Sequence, residues 1–144
     1  MEALAKLQAH PGHSLIRQSS WYLTEPVGLE DSEWFINGVI LLETPLAPES
    51  LMQLMLDIEI SLGRERTVKW GPRIIDLDLL TYDQLIMDSP GLILPHPFLE
   101  KRRFVLEPLA EIAPDDVHPV LKKTFGRLRD ELPVEGQSLI RLKE

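Results

Sequence analysis

The sequence predicts an α+β fold, in which a mostly antiparallel sheet carries helices packed on it. Two runs rich in β-branched and aromatic residues precede a long amphipathic helical stretch, and short strands and helical turns follow it. This order of strands, helix, strands and late helical turns is typical of α+β domains. The chain has 144 residues, so we expect a single domain, 1–144, with its own hydrophobic core.

The first part of the chain is predicted to contain a helix and two strands. Residues 2–9 favour a helix, which 11–12 (Pro-Gly) end. This helix has no N-cap, so we expect it to be the end of a longer helix that begins upstream of Met1. Residues 14–23 and 34–44 are predicted strands, and their spacing suits an antiparallel pair joined by a long loop.

A second helix is predicted between Pro48, at its first position, and Gly63, just past its end. Its buried stripe is predicted to consist of Leu51, Leu54, Met55, Ile58 and Leu62. Glu59 lies beside this stripe, near the helix C-terminus. A carboxylate there opposes the helix dipole, so we expect it to have a partner, although simple solvation is the alternative.

The second half is predicted to consist of shorter elements. They are a strand that ends at Tyr82, strands at 85–87 and 92–94, helical turns within 98–108 and 109–114, a helix at 124–132 and a last strand at 138–142.

Charge and composition exclude several classes of function. The formal net charge is −8, so general binding to nucleic acid or to an anionic membrane is not expected. The absence of cysteine excludes disulfides, thiolate catalysis and cysteine zinc sites, and is compatible with the cytoplasmic location that we expect. No apolar run approaches the roughly 20 residues of a membrane span. Neither common glycine-rich phosphate loop is present, so any phosphate must be bound by side chains.

Two aspartates on one predicted strand are the strongest functional signal. Alternation along a strand places Asp76 and Asp78 on the same face, with their Cα atoms roughly 6.6 Å apart. Like charges on an apolar strand need a compensating cation, and Mg²⁺ prefers carboxylate oxygens. The alternative is a surface strand on which both aspartates are solvated. Trp70 and Arg73 lie just upstream and favour a binding site.

Other residues are typical of a site that binds phosphate. The arginines in question are Arg64, Arg66, Arg73, Arg102 and Arg103. Arginine suits bidentate contacts with phosphate oxygens, and carboxylates, Mg²⁺ and arginines are the recurring parts of phosphoryl-type transfer. His96, between two prolines, is either an ordinary loop residue or a hydrogen-bond donor to phosphate.

Asn37 is unusual within an apolar strand beside Phe35. A buried amide must be satisfied, and its adjacent donor and acceptor suit the edge of a heterocycle. A bulge or a backbone contact is the alternative. The rings of Phe35, Trp70 or Phe104 could stack on such a heterocycle, although most buried aromatic residues only fill the core.

Taken together, these residues resemble a known family. The motifs are Trp70-Gly71-Pro72-Arg73 followed by Asp76-x-Asp78, Pro95-His96-Pro97, Arg102-x-Phe104-Val105-Leu106 and Pro108-Leu109-Ala110-Glu111-Ile112-Ala113-Pro114, with Ser19-Ser20-x-Tyr22 ahead of them. They resemble the 6-hydroxymethyl-7,8-dihydropterin pyrophosphokinases of the folate pathway. The resemblance implies a ferredoxin-like α+β fold and transfer of the β,γ-diphosphoryl unit of ATP to the pterin hydroxymethyl group, with release of AMP.

The resemblance also implies a role for each candidate residue. Asp76 and Asp78 would hold two Mg²⁺ ions, and together with Arg64 and Arg73 they would be catalytic. The residues implied in ATP binding are Glu59, Arg66, Trp70, Arg73, Leu79, His96 and Arg102. The residues implied in the pterin pocket are Thr24, Pro26, Val27, Phe35, Asn37, Trp70 and Phe104. The loops 24–33 and 64–70 would close over the substrates.

The chain departs from the family pattern at its start, where the first strand and the beginning of the first helix are missing. A non-catalytic pterin- or nucleotide-binding remnant of the fold is therefore an alternative. A two-carboxylate glycoside hydrolase is disfavoured, because both aspartates share one strand face and arginines surround them. The resemblance implies a monomer that passes its product to dihydropteroate synthase and has no nucleic-acid or membrane partner.

Overall fold

The computed structural model describes residues 2–24, 35–64, 77–133 and 139–142. The elements in these ranges are, in chain order, α1 (Glu2–Ala9), β1 (Ser14–Gln18), β2 (Tyr22–Thr24), β3 (Phe35–Asn37), β4 (Ile40–Glu43), α2 (Pro48–Arg64), β5 (Met87–Ser89), β6 (Leu92–Leu94), a 3₁₀ turn (Leu99–Lys101), α3 (Arg103–Ile112), α4 (Phe125–Glu131) and β7 (Leu139–Arg141). No helix within the described ranges has the length and apolar character needed to cross a membrane.

All strand pairs within the described ranges are antiparallel. β1 pairs with β4, β2 lies between β3 and β7, and β5 pairs with β6. α1 packs on α2, and α3 packs on α4, on β2 and on β4. Antiparallel strands with helices packed against them confirm the predicted α+β fold class.

The two predicted N-terminal strands do pair with each other, but each is broken in two. The ring of Trp21 packs so closely on Gly38 that a Cβ atom there would lie 2.9 Å from it. A side-chain hydrogen bond also forms at the break, because the Val39 N–H donates to the Ser19 Oγ at 2.9 Å. The prediction of two unbroken strands was therefore wrong at residues 19–21 and 38–39.

The hydrophobic core consists of two clusters. One joins α1 to α2 through Ala3, Leu7, Leu51, Met55, Ile58 and Leu62. The partly buried Leu54 packs against it, which confirms the predicted stripe of α2. The other is centred on α3 and α4 and consists of Leu99, Val105, Leu106, Leu109, Phe125 and Leu128. Leu77 and Leu79 pack against the first cluster and Leu80 against the second. The segment that follows Asp76 is therefore held by both clusters.

Several predicted boundaries differ from the structure. α2 begins at Pro48 as predicted but continues through Gly63, which lacks the positive φ of a helix-ending glycine. Residues 77–82, predicted as strand, form no assigned strand within the described ranges. The helical turns predicted on either side of Pro108 form one continuous helix, α3, which includes this proline. The predicted strand at 85–87 instead spans Met87–Ser89.

Gly12 should tolerate no side chain. Its φ is +85°, and a Cβ atom would lie 2.8 Å from the Pro45 ring. We expect Gly12→Ala to lower the free energy of unfolding by about 2–4 kcal/mol, from backbone strain and overpacking together. Gly91→Ala is the matched control, because Gly91 has φ +86° but nothing within 4 Å of its Cβ position. For Gly91→Ala, urea unfolding should show a decrease of only about 1 kcal/mol in the free energy of unfolding. Equal decreases in the two variants would contradict the Pro45 contact.

A turn near the C-terminus is built around a buried histidine. His118 is 4% exposed, and its Nδ1 accepts the N–H groups of Val120 (3.2 Å) and Leu121 (3.0 Å). An Nδ1 that accepts two hydrogen bonds must be unprotonated, so the neutral ring carries its proton on Nε2. Burial lowers the pKa of His118 below its usual value, and the opposing charge of Glu100 offsets this only in part.

The protein should therefore lose stability in mild acid through His118. The unfolded chain binds a proton at this site near pH 6.5, before the folded chain does, so stability falls below about pH 6.5 by at most about 1.4 kcal/mol per pH unit. His118→Asn keeps a hydrogen-bond acceptor but cannot titrate. Between pH 7.5 and pH 5.5, urea unfolding should show a larger decrease in the free energy of unfolding for the wild type than for His118→Asn. Parallel losses in the two proteins would contradict this role of His118.

Candidate active site

The structure describes about half of the predicted site residues with their side chains. These are Thr24, Asn37, Glu59, Asp78, Leu79, His96, Arg102 and Phe104. Pro26, Val27, Arg66, Trp70, Arg73 and Asp76 lie outside the described ranges, as do the side chains of Phe35 and Arg64. The two loops predicted to close over the substrates also fall almost entirely outside these ranges. The roles predicted for these residues stay predictions.

Asp78 is exposed on residues 77–80 (the Asp78 segment), which are held in place by a hydrogen bond and by packing against the core. The backbone N–H of Leu77 donates to the Glu59 carboxylate at 2.5 Å, so the expected partner of Glu59 is confirmed. Leu77 and Leu79 pack into the first core cluster, whereas Asp78 between them faces solvent. Asp78 therefore lies away from the core against which its two apolar neighbours pack. A fixed backbone with an exposed carboxylate suits coordination of a hard cation.

His96 lies beside the Asp78 segment. Its backbone N–H donates to the Leu80 carbonyl at 2.8 Å, two residues after Asp78. The peptide bond between Leu94 and Pro95 is cis, and β6 ends immediately before it. The two predicted nucleotide-binding segments are therefore neighbours in the fold, although they are well separated in the sequence.

Arg102 lies against two aromatic rings. Its guanidinium carbon is 5.1 Å from the centre of the Phe98 ring and 5.7 Å from that of the Phe104 ring. Phe98 is 49% exposed, so the cation–π contact forms at the surface. Arg102 immediately precedes α3, and Phe104 lies in the first turn of that helix. A residue predicted to bind ATP therefore contacts a ring predicted to stack on the pterin.

Thr24 and Asn37 form a polar pair on one face of the β2–β3 ladder. Asn37 lies opposite Tyr22, in a regular register. Its Nδ2 donates to the Thr24 Oγ1 at 2.7 Å, and Thr24 is 1% exposed. The expectation that the Asn37 amide is hydrogen-bonded is confirmed, and the alternative of a bulge at this position is wrong.

Sequence reasoning missed Glu111, which joins three elements. Its carboxylate accepts the Ser20 N–H (3.0 and 3.1 Å), the Ser20 hydroxyl (2.8 Å), the Tyr22 hydroxyl (2.7 Å) and an Arg141 N–H (3.1 Å). Burial alone would raise the pKa of Glu111, but the hydrogen bonds from Tyr22 and Ser20 outweigh it and the pKa is lowered. The signal was present, because Glu111, like Glu59, is a carboxylate near a helix C-terminus.

Metal binding by the described residues alone is not indicated. Within the described ranges, no group of three or more His, Cys, Asp or Glu side chains could hold a metal ion. Of the predicted aspartate pair, Asp78 lies within these ranges and Asp76 outside them. Asp78 offers hard, exposed oxygen donors, and these fit Mg²⁺ bound together with substrate phosphates.

Comparison with known proteins connects this site to a family. The sequence model of the 7,8-dihydro-6-hydroxymethylpterin-pyrophosphokinase (HPPK) family matches residues 1–114. The 2-amino-4-hydroxy-6-hydroxymethyldihydropteridine pyrophosphokinase of Methylorubrum extorquens is 45% identical over 113 residues, which cover 78% of this chain and 72% of that protein. The Pseudomonas aeruginosa protein of the same name is 42% identical over 138 residues, 93% of this chain and 82% of that protein.

A longer relative contains a similar region. The folic acid synthesis protein fol1 of Schizosaccharomyces pombe is 38% identical over 134 residues, which cover 93% of this chain but 18% of that protein. The family match at 1–114 includes every predicted site residue, from Thr24 to Phe104. The chain belongs to the 7,8-dihydro-6-hydroxymethylpterin-pyrophosphokinase family.

Proposed function

We propose that this chain transfers the diphosphoryl unit of ATP to the hydroxymethyl group of 6-hydroxymethyl-7,8-dihydropterin, releasing AMP, as a step of folate synthesis. The observation that carries this function is the family match over residues 1–114, which includes the whole predicted site. The curated relatives with 45% and 42% identity are named for this pyrophosphokinase. In the reaction, the pterin hydroxyl oxygen attacks the β-phosphorus, the bond from that phosphorus to the oxygen of AMP breaks, and the hydroxyl proton is released.

Asp76 and Asp78 are the proposed ligands of two Mg²⁺ ions. Support comes from the exposed carboxylate of Asp78, on a segment held by the Glu59 contact and by the packing of its leucines. When bound, the ions would neutralise phosphate charge and make the β-phosphorus more electrophilic. The role proposed for these aspartates is to hold the positive charge of the ions against the triphosphate before the reaction begins.

The remaining proposed ATP ligands include four arginines. We assign the triphosphate to the arginines Arg64, Arg66, Arg73 and Arg102, with Glu59, Trp70, Leu79 and His96 as further ATP contacts. Arginine keeps its charge at any relevant pH and presents a planar fork to phosphate oxygens. The backbone hydrogen bond from His96 to Leu80 supports this arrangement, because it brings His96 beside the Asp78 segment.

The proposed pterin pocket is built on the β2–β3 ladder and on α3. The Asn37 amide has two N–H donors and one carbonyl acceptor, and one N–H donates to the Thr24 Oγ1. The rest of the amide is proposed to bind the polar edge of the pterin. Phe35 and Phe104 are proposed to stack on the ring, and Pro26, Val27 and Trp70 to enclose it.

We assign the chain as one domain, 1–144, that acts as a cytoplasmic monomer and passes its product to dihydropteroate synthase. The absence of cysteine supports this location, because proteins in a reducing compartment rarely rely on disulfides.

Turnover in the purified chain is the direct test of this function. AMP should accumulate when ATP, Mg²⁺ and 6-hydroxymethyl-7,8-dihydropterin are all present, and should stop when the pterin is omitted or Mg²⁺ is chelated. Isothermal calorimetry of pterin binding should accompany the assay. Binding without any AMP would support the non-catalytic alternative over the enzyme.

A further inference from the structure

We propose that Glu111 is a positioning residue that sets the distance between the two sides of the pterin pocket. The inference rests on the proposed function, because it concerns how that pocket is held. Glu111 itself lies in the last turn of α3 and none of its hydrogen bonds goes to Thr24 or Asn37. Its role is therefore to act through the strand that carries Thr24.

The hydrogen bonds of Glu111 converge on β2 and on the residues just before it. One carboxylate oxygen accepts the Tyr22 hydroxyl at 2.7 Å, and the other accepts the Ser20 hydroxyl at 2.8 Å. The Ser20 N–H lies 3.0 and 3.1 Å from the two oxygens. A carboxylate that accepts several directed hydrogen bonds fixes both the helix and the strand in position and in orientation.

The strand held in this way carries the polar side of the pocket. Tyr22 lies directly opposite Asn37 in the ladder, and Thr24, two residues along β2, accepts the hydrogen bond from the Asn37 amide. A shift of Tyr22 relative to α3 would therefore move Thr24 and Asn37 together.

The helix held in this way carries the aromatic side of the pocket. Phe104 lies in the first turn of α3 and Glu111 in its last, about 10 Å apart along the helix axis. Val105, Leu106 and Leu109 are buried between them in the second core cluster, so packing holds the helix in place along its length. Glu111 thus connects the helix of Phe104 to the strand of Thr24.

β7, which pairs with β2 on the side opposite to β3, also contributes to the hydrogen bonds around Glu111. Arg141 donates to the Glu111 carboxylate at 3.1 Å and, through Nε, to the Ser20 hydroxyl at 2.8 Å. A separate contact holds the helix end, because the Arg17 guanidinium donates to the Ile112 carbonyl at 2.7 Å. Loss of the Glu111 charge should therefore loosen β2 without releasing α3, and the variant should still fold.

Glu111→Gln tests the inference, with Glu107→Gln as the matched control. Both residues lie on α3, and both carboxylate side chains are 22% exposed and paired with an arginine, at 3.1 Å for Glu111 and 3.2 Å for Glu107. The arginines paired with Glu107 are Arg103 on α3 and Arg129 on α4, so neither ion pair of Glu107 involves a strand. In Glu111→Gln, the amide N–H groups would face the hydrogen-bond donors of Ser20, Tyr22 and Arg141, and part of the network would break.

The expected result is a split between the two substrates. For Glu111→Gln, the KM for pterin should rise about tenfold or more while the KM for ATP stays within about twofold. Glu107→Gln should change neither constant. Tyr22→Phe removes one donor only and should give a smaller rise in the same direction, which keeps the test valid if Glu111→Gln folds poorly.

A merely structural role would give a different pattern. It would lower the thermal unfolding midpoint and the active fraction, with both KM values unchanged, and that outcome would overturn the inference. Wild-type turnover is measured alongside: its absence would count against the proposed function instead. In that case calorimetric titration with pterin decides the role of Glu111, because equal affinities in wild type and Glu111→Gln would contradict it.

Discussion

Asp78→Asn is expected to lower kcat for AMP formation by about 10³-fold, because it removes the charge of a carboxylate proposed to hold Mg²⁺ against the triphosphate. The side chain is exposed, and its neighbours Leu77 and Leu79 supply the packing that fixes the segment. Stability should therefore change little. The measurement is steady-state AMP formation at saturating substrates, together with thermal unfolding of the same preparation.

Asp88→Asn is the matched control for Asp78. Asp88 is also an exposed aspartate on an ordered segment, in the β5–β6 hairpin opposite Ile93. It has no proposed ligand, so kcat should be unchanged. If Asp78→Asn kept near-normal turnover, or lost activity only in proportion to unfolding, the proposed aspartate site would be wrong.

Asn37→Leu is expected to lower kcat/KM for the pterin by about 10- to 100-fold, which corresponds to about 1.4 to 2.7 kcal/mol. Leucine has a similar size but offers no hydrogen bond to the pterin edge. The KM for ATP should stay the same, because Asn37 lies on the strand pair and not on the Asp78 segment. Steady-state kinetics with each substrate varied in turn measures this.

Ile36→Val provides the control for Asn37. Ile36 is the neighbour of Asn37 on β3, but its side chain alternates to the other face of the ladder and is 59% exposed. This variant should behave as wild type with both substrates. Equal losses with ATP and pterin in Asn37→Leu would point to general damage of the ladder and would contradict a pterin-specific role.

Elements encoded by local patterns were predicted well from the sequence. The stripe of α2 follows from apolar spacing, and α4 begins after Thr124, whose hydroxyl accepts the Arg127 N–H at 3.1 Å. The break between β1 and β2 could not be predicted in this way. It depends on the contact of Trp21 with Gly38, and these residues meet only after the strands have paired.

The site shows the same division between local and tertiary information. The need of Glu59 for a partner follows from its place near a helix end, and the Leu77 N–H supplies that partner. The position of Arg102 between Phe98 and Phe104 was not predicted, because a cation–π contact leaves no mark on residue spacing. The partners of Glu111 lie 89 to 91 residues earlier, at Ser20 and Tyr22, and further on at Arg141.

The nature of the group transferred is the central claim, and the masses of the reaction products test it most directly. The wild-type chain is incubated with ATP, Mg²⁺ and 6-hydroxymethyl-7,8-dihydropterin, and the products are separated and weighed by mass spectrometry. Transfer of the diphosphoryl unit predicts AMP and a pterin diphosphate in equal amounts. ADP with a pterin monophosphate, or AMP with free pyrophosphate and unchanged pterin, would contradict the account.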